Sequence, residues 1–373
     1  VTNLPADLAM HSIYPMQITL RVTRRVELGH HPAAMVCAIV KRAATLVGLS
    51  DGMPVGFLPD AVEVGRMSIH ADEPYVFGLQ IAGEDPKQCH QRWSRFLDGL
   101  NQVGQPKRNQ KKSGVSADAT QVDERGLNGN FVVAQIQSLV DRDTDDLVAI
   151  PDAWFEAMLE LARKSSSGLT LRWLSPLCAQ LPPRFGKRDG QPNSRAGFFD
   201  TDRFPISDLM RRLHRRLTDD FGWKCPLQES DFEKIKLVEP PGLADLHWLK
   251  WQYGPKHSVK SLFGVMGRMR IETASQELLR MLVRGQFAGV GEKTTFGLGR
   301  YVIEEVQESL PGDVPRFLRA RRSKSLVELA VHAPIVEQEA QRLGVSTGHV
   351  RSLADRIESP EYQPESVFRF LLP

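Results

Sequence analysis

Gly289-Val290-Gly291-Glu292-Lys293-Thr294-Thr295-Phe296-Gly297-Leu298-Gly299 decides how the rest of this chain is read. Two Gly-hydrophobic-Gly triplets bracket five residues that include Lys293, Thr294 and Thr295. Glycine lacks Cβ, so it adopts positive φ and lets other backbone come close. Successive N–H groups in such a loop form a concave anion site, to which Lys293 adds charge and the threonine hydroxyls add donors. A Walker loop is excluded, because Glu292 precedes Lys293 where that motif needs glycine, and because the order here is helix, loop, strand. A dinucleotide fingerprint is excluded as well, since Thr294 and Val302 occupy the third glycine positions. What remains is a phosphate cradle of another kind or a glycine-rich turn that merely connects helix to strand; four glycines at this symmetric spacing favour the cradle.

The flanks support that order. Upstream, Thr273 and Gln276 read as a capping box for a helix carrying Leu278, Leu279, Met281 and Leu282, with Gly285 just past its end. Downstream, a strand is expected over 300–306. Farther upstream, Leu169, Leu171 and Trp173 alternate as in a strand, and Ile206, Leu209, Met210, Leu213, Leu217 and Phe221 make an amphipathic helix. Strands follow near 245–253 and 261–271.

The first half shows the same order. Met16, Ile18, Leu20 and Val22 share one face of a strand over 16–26. Met35, Val36, Ile39, Val40, Ala43 and Val47 then recur at helical spacing, and Gly48 closes that helix. A strand at 75–81 precedes Asp85-Pro86, an N-cap and first-turn proline for a helix with Trp93, Phe96, Leu97 and Leu100 inward. Residues 105–125 are polar and read as a loop; strands are expected at 131–136 and 147–150. Two α+β units of β-α-β-β-α-β type follow, a tandem ferredoxin-like (RRM-like) architecture. The expected divisions are 1–150, 151–309 and a small helical segment over 310–373.

Composition narrows the class. The 373 residues carry a net charge of +3, with 41% hydrophobic and 25% charged residues, as in a soluble globular protein. Any nucleic-acid surface must come from local clustering of cations. The four cysteines, Cys37, Cys89, Cys178 and Cys225, form no C-x-x-C, so neither a zinc site nor a disulfide scaffold is expected. Reduced thiols, no cofactor, no metal, no membrane segment and a cytoplasmic location are the expectations. Beyond residue 310, Arg316, Arg319, Arg321, Arg322 and Lys324 form a basic linker, and helical periodicity runs over 326–357. Residues 340–350 fit a helical hairpin better than a DNA-reading helix-turn-helix. The apolar run ending at Pro373 looks cut from something longer.

With its glycine-rich loop between the last helix and last strand, the chain resembles the CRISPR repeat-processing endoribonucleases, the Cas-six family of the RAMP superfamily. Arg300-Tyr301-Val302, Leu171-Arg172-Trp173-Leu174-Ser175-Pro176-Leu177 and the segment 264–270 also resemble that family's C-terminal domain. The following basic linker and helices look like the start of a fusion with a reverse transcriptase and a Cas-one integrase. That likeness implies CRISPR repeat RNA, those two domains and a Cas-two protein as partners.

The resemblance implies metal-independent attack of a ribose 2′-OH on its adjacent phosphate, giving 2′,3′-cyclic phosphate and 5′-OH ends. Histidine suits the general base because it exchanges protons near neutrality. His30 and His31, between the first strand and first helix, stand where the family usually keeps that histidine; His31 is the first choice, and Lys41 is a candidate cation. Gly289, Gly291, Lys293, Thr294, Thr295, Gly297 and Gly299 are the RNA-binding candidates of the loop. Arg211, Arg212, Arg215 and Arg216 form the outer face of their helix, and Arg184, Lys187 and Arg188 lie in a Pro/Gly-containing loop. Lys256 and His257 complete the set. Against the nuclease stand a non-catalytic RNA-binding module feeding a spacer-acquisition complex and a structural RAMP subunit of an effector complex.

Overall fold

The computed structural model describes residues 12–27, 33–49, 58–60, 68–106, 126–141, 143–165, 168–185, 197–200, 203–224, 227–238, 246–253, 260–272 and 275–309. The first unit comprises β1 (Ser12–Val22), β2 (Val26–Glu27), α1 (Ala33–Leu46), β3 (Leu58–Asp60), β4 (Ser68–Ile69), β5 (Pro74–Gly83), α2 (Pro86–Gly104) and β6 (Phe131–Ser138). Its main sheet runs β3-β5-β1-β6 with every described pair antiparallel. That interleaved order, with α1 and α2 as the two crossovers, is the ferredoxin-like arrangement. Met16, Ile18, Leu20 and Val22 are wholly buried along one face of β1, as the period-two pattern requires. They form a core with Val36, Ile39, Val40, Phe96 and Leu100 of the helices. Asp85 caps α2, its side chain accepting from the Lys87 N–H at 2.9 Å.

The second unit contains α3 (Asp152–Lys164), β7 (Leu169–Leu177), α4 (Ile206–Phe221), α5 (Glu229–Phe232), β8 (Lys236–Leu237), β9 (Leu246–Tyr253), β10 (Lys260–Glu272), α6 (Gln276–Ala288), β11 (Tyr301–Ile303) and α7 (Glu304–Ser309). Its sheet runs β11-β7-β10-β8, and β9 pairs with the first part of β10. The interleaving is the same, so the fold is α+β with tandem ferredoxin-like units. Ile13 of β1 and Ala82 of β5 join the second core beside Leu171, Trp173, Leu213 and Leu282, so the two units share buried surface.

Three expectations change. Residues 147–150 form no strand; the Ile150 N–H donates to Ile13 O at 2.9 Å, and the chain then turns into α3. Pro151 has no N–H to continue a ladder. The helix α3 went unexpected, although Phe155, Met158, Leu159 and Ala162 are buried at helical spacing. The N-cap of α6 is Ser275, whose hydroxyl accepts from Leu278 N at 3.4 Å, in place of the expected box from Thr273, a residue outside those described. Residues 107–125 and 310–373, the expected polar loop and helical segment, also lie outside the described residues. Among the described residues, no helix is long and apolar enough to cross a membrane.

At the edge of the second sheet, β11 pairs with β7 over three residues. Past that point the Thr170 N–H donates to both carboxylate oxygens of Glu305, at 3.0 and 2.9 Å.

Gly99 sets the approach of the first two helices, because a Cβ there would lie 2.2 Å from Ala43 O and 3.1 Å from a Val47 methyl. Gly99→Ala should therefore cost about 1–3 kcal/mol in urea unfolding through overpacking. Gly126→Ala, where nothing lies within 4 Å of a Cβ, should change stability by less than about 0.5 kcal/mol.

Candidate nucleic-acid interface

The loop begins where α6 ends. Gly285 lies inside this helix, not past its end: a Cβ there would meet Tyr301 Oη at 2.3 Å and a Leu213 methyl at 2.7 Å. Packing explains that glycine. The Gly289 N–H closes the helix on Gly285 O at 3.0 Å, and Arg216 Nε donates to Ala288 O at 2.9 Å. Burial pulls the Arg216 guanidinium below its ordinary value, and Asp220 opposes that shift.

Positive φ occurs at Gly289, Gly291, Gly297 and Gly299, and also at Lys293 (57°). Two of these glycines are fixed by contact as well. A Cβ on Gly291 would lie 2.4 Å from Cys178 O, and one on Gly299 would lie 1.8 Å from Val290 O. Between them the loop closes on itself and on the end of β7. The Val290 N–H donates to Gly299 O (3.0 Å), Glu292 N–H to Cys178 O (2.6 Å), and Gly299 N–H to Pro176 O (3.0 Å). Thr294–Phe296 form a short 3-10 turn, ended by Gly297 N–H donating to Thr294 O.

This geometry revises the picture of a cradle built from every loop amide. The N–H groups of Gly289, Val290, Glu292, Gly297 and Gly299 are engaged within the protein. Among the described residues, no such backbone partner is found for those of Gly291, Lys293, Thr294 and Thr295. The glycines chiefly shape the loop; in its middle Thr294 is buried, while Lys293 and Thr295 are partly exposed.

Side chains around that middle are specific. Lys293 Nζ sits 4.8 Å from the Phe263 ring centroid, a cation–π contact. Phe263 packs edge-on against Phe198 (4.6 Å) and stacks with Trp248 (5.5 Å). Glu292 Oε1 accepts from Gln180 N at 3.3 Å and lies 3.8 Å from Arg212 Nη1, while Arg212 donates to Gln180 O. Burial pushes the Cys178 thiol up to about 11, with Lys293 pulling it down, Glu292 adding to the rise and Arg212 lowering it. Such a thiol is an inert packing group at neutral pH.

The arginine helix is less open than its sequence implies. Arg211 is paired with Glu229, Asp208 and Glu233, Arg216 with Asp220, and Arg184 with Asp208. Arg215 is exposed. Acidic partners from α5 and from the same helix were readable only as isolated charges, because their meeting depends on how α5 folds back.

The first unit reaches this site. The 3-10 turn lies against α1 and β3, and Ala34, at the start of α1, packs on the cluster of Cys178, Phe263 and Leu298. Lys41 lies eight residues along α1 from Ala33, about 12 Å up the helix axis. His30, His31, Lys187, Arg188, Lys256 and His257 are outside the described residues. His70 and His90 are exposed, the latter with Nδ1 2.8 Å from Pro86 O. No group of three or more His, Cys, Asp or Glu among the described residues is arranged to hold a metal ion.

Residues 171–301 match the profile of the family described as CRISPR-associated endoribonuclease Cas6. No curated protein matches the sequence. Among solved structures, chains titled partial Cas6-RT-Cas1–Cas2 complex and Cas6-RT-Cas1–Cas2 complex are similar over 95% of this chain, at 17% identity and a TM-score of 0.58. This chain spans 59% and 37% of their respective lengths. Thermus thermophilus Cas6 is similar over 79% of this chain and 99% of its own, at 15% identity and a TM-score of 0.42. At 17% identity the likeness to the two complex chains is one of fold.

The loop geometry sets a graded expectation. Gly299→Ala combines a left-handed φ with a Cβ 1.8 Å from a carbonyl, whereas the nearest atoms to a Gly289 Cβ are at 3.4 Å. Gly289→Ala should cost about 1–2 kcal/mol from conformation alone, and Gly299→Ala should cost a further 1–3 kcal/mol or so from overpacking. Urea unfolding measures both, and an inverted order would contradict the close approach.

Proposed function

We propose that this protein processes CRISPR repeat RNA by endonucleolytic cleavage, with ferredoxin-like units over 1–150 and 151–309 gripping the RNA at their seam. The observation that carries this reading is the contact between the start of α1 and the glycine-rich loop. His31 is only two residues before Ala33, so covalent geometry keeps their Cα atoms within about 8 Å. In this proposal that histidine and the glycine-rich loop, more than 250 positions apart in sequence, act on one phosphodiester.

In this mechanism the middle of the loop, with Lys293, Thr294 and Thr295, holds the backbone of the RNA. Gly289, Gly291, Gly297 and Gly299 give the loop the shape that presents those groups. His31, or His30 beside it, takes the proton of the 2′-OH as that oxygen attacks the adjacent phosphorus. The P–O5′ bond breaks, leaving a 2′,3′-cyclic phosphate and a 5′-OH that receives a proton. Lys293 is better placed than Lys41 to stabilise the charge that builds on the phosphate, because Lys41 starts two turns up α1. Arg215 is the helix residue most open to RNA; Arg211, Arg212, Arg216 and Arg184 contribute after exchanging their present partners. Lys187, Arg188, Lys256 and His257 are further candidate RNA contacts.

Likeness to chains titled Cas6-RT-Cas1–Cas2 supports a second role, in which bound RNA is delivered to reverse transcriptase and Cas1 domains acting with Cas2. Tight repeat binding with no cutting would favour that role alone.

Labelled repeat RNA incubated with the protein and EDTA should be cut at a discrete site, and a 2′-deoxy substitution at the scissile nucleotide should abolish cutting. A requirement for divalent metal would refute the mechanism. His31→Ala should lower the cleavage rate by roughly 100-fold or more, the scale of lost general-base catalysis, while binding persists. Lys293→Ala should weaken binding and reduce the salt dependence by about one phosphate contact's worth; an unchanged slope would exclude direct phosphate contact by Lys293.

A further inference from the structure

Gln80 is a polar side chain of the first unit that is 5% exposed. It lies on the β5 face whose neighbour Ala82 enters the second core. With its amide nitrogen toward α6, Gln80 donates to Phe287 O, and its oxygen accepts from Nη1 and Nη2 of Arg300 at 3.1 and 3.2 Å. The opposite orientation would set oxygen against carbonyl and nitrogen against guanidinium, so complementarity selects the first.

The two partners bracket the loop. Phe287 stands two residues before Gly289, and Arg300 directly follows Gly299. Arg300 is itself pinned to β7, its N–H donating to Ser175 Oγ at 2.9 Å and its carbonyl accepting from Leu174 N at 2.8 Å. On the other side, β5 is hydrogen-bonded to β1 and β3, and β3 lies against the 3-10 turn of the loop. One buried amide thus joins both ends of the loop to the sheet whose first crossover is α1.

We propose that Gln80 is a positioning residue that fixes the distance between the glycine-rich loop and the start of α1. Its proposed effect on cleavage rests on the reaction described above. Removing the amide leaves a guanidinium and a carbonyl without these partners in a buried seam, which favours a shift of the loop relative to the first unit. Displacements of about 1 Å in a reacting pair lower rates by up to roughly 100-fold, so the loss should appear in the chemical step.

The test uses the full chain and a labelled CRISPR-repeat RNA, with three readouts: single-turnover cleavage, equilibrium binding, and hydrogen exchange over residues 33–46 and 289–299. Gln80→Leu should slow cleavage roughly ten- to hundredfold, leave the Kd within about threefold, and raise exchange over 289–299. Gln80→Glu keeps the acceptor for Arg300 but sets an oxygen against Phe287 O, so it should recover only part of the rate and the protection. In a cycle with Arg300→Met, the double variant should be no slower than the slower single variant, the mark of one shared interaction. If Gln80→Leu does not fold, Arg300→Met removes the other half of the contact and carries the same readouts.

Unchanged rate and exchange in Gln80→Leu would overturn the proposal. So would equal losses in rate and binding, which mark direct RNA contact, or additive effects in the cycle. If the wild-type protein cuts no repeat RNA, the cleavage reading fails by itself. The exchange arm then still decides whether Gln80 holds the loop.

Discussion

The close approach of backbone to backbone at Gly291 and Gly299 governs the second unit. Gly291 lies against Cys178 O and Gly299 against Val290 O, at separations that admit no Cβ. These contacts seat the loop on the end of β7, aim the chain into β11, and leave the 3-10 turn facing α1 and β3. The amides of Gly291, Lys293, Thr294 and Thr295 owe their setting to that seat. The loop is seated by the N–H groups of Val290, Glu292 and Gly299, and the amides of its middle take no part in that seating.

Much of this was legible in the sequence, and the reasons are periodic. Alternation along Met16, Ile18, Leu20 and Val22, and helical spacing along Ile206, Leu209, Leu213 and Leu217, report burial on one face, which the cores reproduce. Asp85-Pro86 marked the start of α2 because capping is local chemistry. The loop was legible because glycines at such spacing have few other uses. What failed depended on contacts across the chain. Residues 147–150 have strand-like composition but make one backbone bond to β1 before Pro151. Gly285 looks like a helix end in sequence, while its neighbours Tyr301 and Leu213 come from other elements.

The site was legible in part for the same reason. Lys293 and the threonines stand out locally, and they occupy the middle of the loop. The arginines of α4 look like an open cationic face, yet Glu229 and Glu233 of the following segment and Asp208 and Asp220 within the helix engage Arg211 and Arg216. Gln80 gave no signal at all, because a lone glutamine in an apolar strand acquires meaning only when Phe287 and Arg300 are beside it. The Cas6 profile matches within the second unit, while the first unit brings the start of α1 and β3 against the glycine-rich loop.

The clasp of Glu305 on Thr170 has a different consequence. A three-residue β11 would leave the outer rim of β7 with free amides, a surface on which other extended chains could add themselves. The carboxylate occupies the Thr170 amide with both oxygens, while Glu304 lies between Arg172 and Arg268. The helix that carries both acids therefore acts as a stopper: it ends the sheet with charge and disfavours the addition of other extended chains along that edge.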